Sequence, residues 1–161
     1  RPHHLFCCYG RSYPVKLLFE RWQHFLEGVR RGTISNREEL IKYITQFPDQ
    51  EIYLDNPKGT SKAFGGGKEN KVKLPFDYGE YSDIINPADN MGWDVIVVPS
   101  ADSETEYFLP VGHVSYIEGR EDKAGNDKII LAPEGHYERE DKSIIDNFFD
   151  ELPQFSNVVW Y

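Results

Sequence analysis

Asp89-Asn90-Met91-Gly92-Trp93-Asp94 runs straight into Val95-Ile96-Val97-Val98, and this junction decides how the chain is read. A continuous apolar run bounded by turn-forming residues marks a buried strand. Asp89 and Asp94 therefore stand at the mouth of a core strand. The arrangement recurs downstream, where Asp122-Lys123-Ala124-Gly125-Asn126-Asp127 leads into Ile129-Ile130-Leu131-Ala132. Acids at the edges of two core strands can converge on one hard cation, because Mg²⁺ takes oxygen ligands and keeps several waters. The alternative is plain turn chemistry, since Asp, Asn and Gly gather wherever strands reverse.

Further short strands are expected at 51–54, at 71–78 with an interruption at Pro75, and at 107–116, besides those at 93–98 and 128–132. Strands of this size with Gly and Pro between them suggest a small barrel. Gly65-Gly66-Gly67, among Lys58, Lys62, Lys68, Lys71 and Lys73, reads as a hairpin tip; it lacks the phosphate-loop spacing and no helix follows. Helical periodicity appears three times. Val15, Leu18, Phe19, Trp22, Phe25, Leu26 and Val29 share one face, and Gly32 is a natural stop. Arg30-Arg31 suits the end of that helix, and His24 sits beside its apolar face as a packing or surface residue. Ser35 and Glu38 make a capping box for a second helix carrying Leu40, Ile41, Ile44 and Phe47, closed by Pro48. Ser143 is expected to cap a third, with Ile144, Ile145, Phe148, Phe149 and Leu152 inward and Pro153 at its end. The fold class is α+β: residues 1–48 form an arm and two helices packed on a main domain of residues 49–161.

With 161 residues the chain is long enough for a sizeable core. A net charge of −9 argues against non-specific nucleic-acid binding and suits an acidic cleft that needs cations. The absence of a basic aromatic groove counts further against a nucleic-acid partner. No apolar run approaches membrane-spanning length, so a soluble protein with no membrane partner is expected. The start at Arg1 suggests that a leader or neighbouring domain has been lost. Cys7 and Cys8 are adjacent, a poor geometry for a disulfide, so a reducing, cytoplasmic setting is expected. His3, His4, Cys7 and Cys8 have zinc-binding side chains, but ligands packed this closely rarely reach tetrahedral geometry together.

The order of motifs then becomes informative. Asp55-Asn56-Pro57-Lys58-Gly59, Leu74-Pro75-Phe76-Asp77-Tyr78-Gly79, Asp89 through Asp94-Val95, Pro110-Val111-Gly112 and Asp122 through Asp127 together resemble the soluble family I inorganic pyrophosphatases. The resemblance runs from about Glu51 to Leu152, roughly two-thirds of the chain, and leaves the N-terminal helices unexplained. It implies a five-stranded, OB-like barrel flanked by helices, and hydrolysis of pyrophosphate or a related small phosphoanhydride with Mg²⁺, for which Mn²⁺ can substitute. It further implies that Asp89, Asp94 and Asp127 bind the principal metal, with Asp122 helping to hold another. Tyr78 would contact phosphate, and Lys58 and Lys128 would be its lysines. Glu51 falls near an acidic position of the family. Such a residue set suits the chemistry, because cations bridging phosphoryl oxygens offset the charge that builds up during transfer. Relatives assemble as dimers or hexamers, so a homo-oligomer is compatible with the sequence. The apolar tail Val158-Val159-Trp160-Tyr161 suits either an interface or docking within the chain.

The chain also departs from the family pattern. The signature aspartate that deprotonates the attacking water is replaced by Met91, whose thioether cannot accept a proton. A Tyr-Pro becomes Leu74-Pro75, a Tyr-Gly-Tyr becomes Tyr78-Gly79-Glu80, and a Tyr-Lys pair becomes Leu152-Pro153. Loss of a general base costs a factor of about 10² to 10⁴ in rate. Two readings follow. Either Glu80 or Asp83 takes over on a changed substrate, or the domain is a degenerate homologue that binds metal and phosphate as an interaction module.

Overall fold

The computed structural model describes residues 32–64, 71–102, 104–117 and 127–161. The helix expected before Gly32, the His3–Cys8 cluster, the glycine run and Asp122 lie outside them. The described elements are α1 (Arg37–Gln46), β1 (Ile52–Asn56), β2 (Ser61–Ala63), β3 (Lys71–Lys73), β4 (Asp77–Asn86), β5 (Met91–Val97), β6 (Phe108–Ser115), β7 (Asp127–Pro133), α2 (Arg139–Asp150) and β8 (Val159–Trp160). Six strands form one sheet in the order β1-β4-β5-β7-β6-β8, and β2 pairs with β3 as a separate hairpin. The fold mixes a multi-stranded sheet with helices. Among the described residues the sheet does not close, since its outer strands β1 and β8 do not pair with each other. No described helix is long and apolar enough to cross a membrane.

The apolar runs that opened the sequence reading lie side by side. β5 and β7 pair in parallel, Val95 with Ile129, Ile96 with Ile130 and Val97 with Leu131, while the remaining pairings are antiparallel. All six of these side chains are fully buried, as expected for central strands covered on both faces. β6 follows β5 in sequence yet lies beyond β7, so the chain leaves a gap that β7 later fills.

β4 is longer than expected, because Asp77–Asn86 is rich in polar residues and lacks clean alternation. Tyr78, Tyr81 and Ile84 are buried, a spacing of three where a regular strand would repeat every second residue. The register against β5 slips between Glu80 and Ile85, and that irregularity resets which side faces inward. Strands come very close here. A Cβ on Gly79 would lie 2.1 Å from the Tyr53 carbonyl oxygen, and one on Gly92 would lie 1.9 Å from that of Tyr81.

Both described helices start at positions other than those expected. α1 is capped by Asn36 rather than Ser35: the Asn36 side chain accepts the Glu39 N–H at 2.8 Å. Leu40 and Ile44, one turn apart, are its buried pair, and it ends at Phe47 before Pro48. α2 begins at Arg139, so Ser143 is interior. Its start is fixed by buried Asp141, which accepts the Glu138 N–H at 2.8 Å, the Ser100 N–H at 2.9 Å and the Ser100 hydroxyl at 2.5 Å. This anchors the helix to the turn after β5. Ile145 and Phe149 face the sheet, where Phe149 stacks on Phe76 and meets Phe155 edge-on.

Both ends of the described chain are tied to the sheet. Ile34 donates to the Ile85 carbonyl at 3.0 Å, and buried Trp93 donates its indole N–H to the Ile34 carbonyl at 2.8 Å. The apolar tail docks within the chain: β8 pairs with the free side of β6, and Trp160 stacks on Tyr137 while donating to Asp146 on α2.

Candidate functional site

Cross-strand neighbours on β4, β5 and β7 build one polar face on an otherwise apolar sheet. Tyr78 and Glu80 are two residues apart on β4 and share a side; Glu80 lies directly opposite Asp94 on β5. Lys128, the residue before Ile129 on β7, reaches Asp94 at 2.6 Å. The lysine side chain is only 10% exposed and Asp94 31%, so the pair is partly shielded from water. The Tyr78 hydroxyl donates to the Asp94 carboxylate. Burial, reinforced by Asp94, holds the Tyr78 hydroxyl well above the ordinary phenol range, so it acts as a proton donor in hydrogen bonds.

Three further groups complete the face. Asp55, at the end of β1, has a carboxyl raised above its usual range, first by burial and then by Asp94, against a lowering by Lys62. Its Oδ1 is buried and has no hydrogen-bond partner. Glu80 is raised as well, by burial and by the charges of Asp55, Asp94 and Asp89, while the Gly92 N–H that it accepts at 2.8 Å pulls the other way. Lys62, on β2, lies over the Tyr78 ring at 4.7 Å and the Phe64 ring at 5.3 Å. The face thus carries three mutually repelling carboxylates, two lysines and a phenol.

The residues singled out from sequence divide accordingly. Asp94, Tyr78 and Lys128 come together. Asp89 stands at the rim, where its Oδ1 accepts the Met91 N–H at 3.0 Å within the β4–β5 turn, the simple turn chemistry weighed as the alternative. Asp127 takes a different position. Adjacent strand residues point to opposite faces, so with Lys128 on the Asp94 side Asp127 points away. Its carboxylate pairs with Arg37 of α1 at 2.6 Å and accepts the Ser115 hydroxyl. His113 and Tyr161 lie nearby, 2.9 Å apart, both influenced by the Arg37 and Asp127 charges.

Lys58 is exposed and lines two open clefts, one with Gly59, Lys73, Leu74 and Pro75, the other with Ser100 and Glu138. Its backbone N–H donates to Asp77 at 2.7 Å; the lysine acting on Asp55 is Lys62. Met91 is 56% exposed at the rim, and Leu152 packs against the core. Glu51 is almost fully buried.

Asp55 and Lys62 received no role from the sequence. Asp55 begins the first motif quoted above, and Lys62 shares strand parity with Phe64, so alternation held a signal for the lysine. For Glu80 the signal was its spacing of two from Tyr78. Among the described residues no three His, Cys, Asp or Glu side chains gather closely enough to hold a metal ion as they stand. The acids of the face are of the oxygen-donor kind a hard cation takes, but Asp94 is paired with Lys128 and the carboxylates do not converge on one point. No protein-family model matches the chain, and no curated protein matches it.

Proposed function

We propose that the Asp94 face is a divalent-cation-dependent site for a small phosphoanhydride, and that the protein hydrolyses pyrophosphate or a close analogue in the cytoplasm. The observation that carries this reading is the meeting of Asp94, Tyr78 and Lys128, from three separate stretches of the chain, on one shielded face. Asp94 and Asp55 would supply the oxygen donors for Mg²⁺. The cation would offset charge on the phosphoryl oxygens. Lys128 and Lys62 supply positive charge for the phosphate, and the Tyr78 hydroxyl donates a hydrogen bond to it. An OB-like fold belongs to the same proposal. Such folds are five-stranded, partly open Greek-key barrels, and the strand order β1-β4-β5-β7-β6, with β6 returning across β7, supports that reading.

The test is phosphate release from pyrophosphate with Mg²⁺ or Mn²⁺. Turnover should depend on the metal and fall by about 10²-fold or more in Asp94→Ala, as expected when a principal electrostatic group is removed. Release that is independent of metal, or equal in Asp94→Ala, rejects the reading.

Exposed Met91 and the Arg37–Asp127 pair favour a second reading. With no proton acceptor at Met91 and Asp127 engaged elsewhere, the face would bind metal and phosphate without turnover. Calorimetric binding of Mn²⁺ and phosphate in the absence of hydrolysis supports it, and robust hydrolysis removes it.

A further inference from the structure

We propose that the outer edge of β3 is a docking site for an extended acidic peptide, which adds to the β2–β3 hairpin as a third strand and lays its acids against Lys71 and Lys73. The proposal is independent of the Asp94 face and concerns the other side of the hairpin.

Alternation divides that hairpin into two sides. Lys62 and Val72 are register partners, and their side is turned inward: Val72 packs against the core and Lys62 lies over the Tyr78 ring. Lys71 and Lys73 stand on the opposite side, two residues apart and both exposed. The cleft beside Lys73 is also lined by exposed Lys58. Three ammonium groups thus mark one short stretch of a chain whose net charge is −9. Among the described residues none of the three makes a salt bridge, although acids outnumber Lys and Arg by 27 to 18 and partners are plentiful.

The backbone of this edge is open as well. Among the described strands β3 pairs with β2 alone. Leu74 donates to the Thr60 carbonyl at 2.9 Å, so by antiparallel alternation Val72 aims its N–H and carbonyl at β2. Lys71 and Lys73 then aim theirs outward.

Lysines on an edge strand can serve simply to keep other strands away. A guard of that kind needs no cavity. Here a cleft of about 560 Å³ opens beside Lys73, between Lys58, Gly59, Leu74 and Pro75, and it lies within the size range of ligand pockets. Pro75 has no N–H, so the ladder of an added strand ends there, and the last side chain on the lysine side falls over the cleft. The complementary strand therefore carries acids at alternate positions, opposite Lys71 and Lys73, and an apolar residue two positions further on. Main-chain hydrogen bonds supply the affinity and the alternate side chains the selectivity.

The test is fluorescence anisotropy on the full chain with a labelled, end-capped peptide of alternating glutamate and threonine that ends in Glu-Thr-Glu-Thr-Leu. A second peptide has the same composition with its glutamates adjacent. The alternating peptide should bind more tightly, and equal binding of the two overturns the proposal. Lys71→Glu combined with Lys73→Glu should weaken binding roughly tenfold or more, because two attractive cross-strand pairs become repulsive. The same double variant should bind a peptide with lysine in place of each glutamate better than wild type does, a reversal that misfolding would not produce. Unchanged binding in the double variant, or complete displacement of the peptide by inorganic phosphate, overturns the proposal. On wild type, the peptide should slow solvent exchange of the Lys71 and Lys73 amides, and unaltered exchange refutes strand addition.

Discussion

At Gly92 a missing side chain performs two tasks. It lets β5 pass close to the Tyr81 carbonyl, and it exposes the N–H that holds Glu80. Gly92→Ala is expected to cost about 1–3 kcal/mol or more, because the clash is with backbone that cannot rotate away. Chemical denaturation measures the loss, and an unchanged midpoint would contradict it. Asp141 accepts hydrogen bonds from Ser100 and Glu138 while almost fully buried. Asp141→Ala strands those donors and should cost about 3 kcal/mol or more, since each hydrogen bond to a charged group contributes about 1.5–3 kcal/mol. The same scale shows what the sequence held. Tyr78 and Asp94 are legible as motif residues, and Lys128 as the residue that follows the last motif. The family resemblance implies one pocket for Asp127 and Lys128, although neighbours on a strand face opposite ways and a strand is expected at 128–132. Parity was available in the sequence and argued against that pairing.

Among elements, the runs 93–98 and 128–132 were legible because a buried strand needs little besides apolar residues. β4 was not, because its bulge changes the burial spacing along Asp77–Asn86 and no local pattern announces a slip that depends on the partner strand. Helix starts erred for a related reason. Ser35 and Asn36 are both good caps, and geometry chose Asn36; at α2 the start is set by Asp141 bonding to Ser100 forty-one residues earlier. Asn36→Ala should therefore lower stability by about 1 kcal/mol, as is usual for loss of a cap, whereas Ser143→Ala should have almost no effect. Thermal melts of the two variants distinguish these positions, and equal losses would place the helix starts wrongly.

For the whole molecule, the strand order was beyond the sequence, because the parallel β5–β7 pairing joins segments separated by all of β6. The pH response is also a property of the assembled fold. Burial, then the nearby Arg37 charge, holds His113 below its ordinary value of 6.5, so the unfolded chain takes up that proton first. His113 should thus cost stability as the pH falls below about 6.5, down to its lower folded value. Asp55 and Glu80 are raised, so the folded state binds more protons than the unfolded one. Their contribution is fully present below their ordinary values of 3.8 and 4.5 and is lost as the pH rises through the folded values. Glu80→Gln removes its part of that loss, so its advantage over wild type should grow from about pH 4 to about pH 7. Melting temperatures across this range check the sign, and an advantage that shrinks with pH would refute it.

The two residues of β8 have a consequence out of proportion to their length. By lying along β6 they occupy backbone amides and carbonyls at Gly112 and His113 that would otherwise face solvent. An uncovered sheet margin is a template for a strand from another molecule. Removing Val158 through Tyr161 should therefore promote self-association, with molecules sticking together through β6. β8 is thereby expected to guard this margin against aggregation.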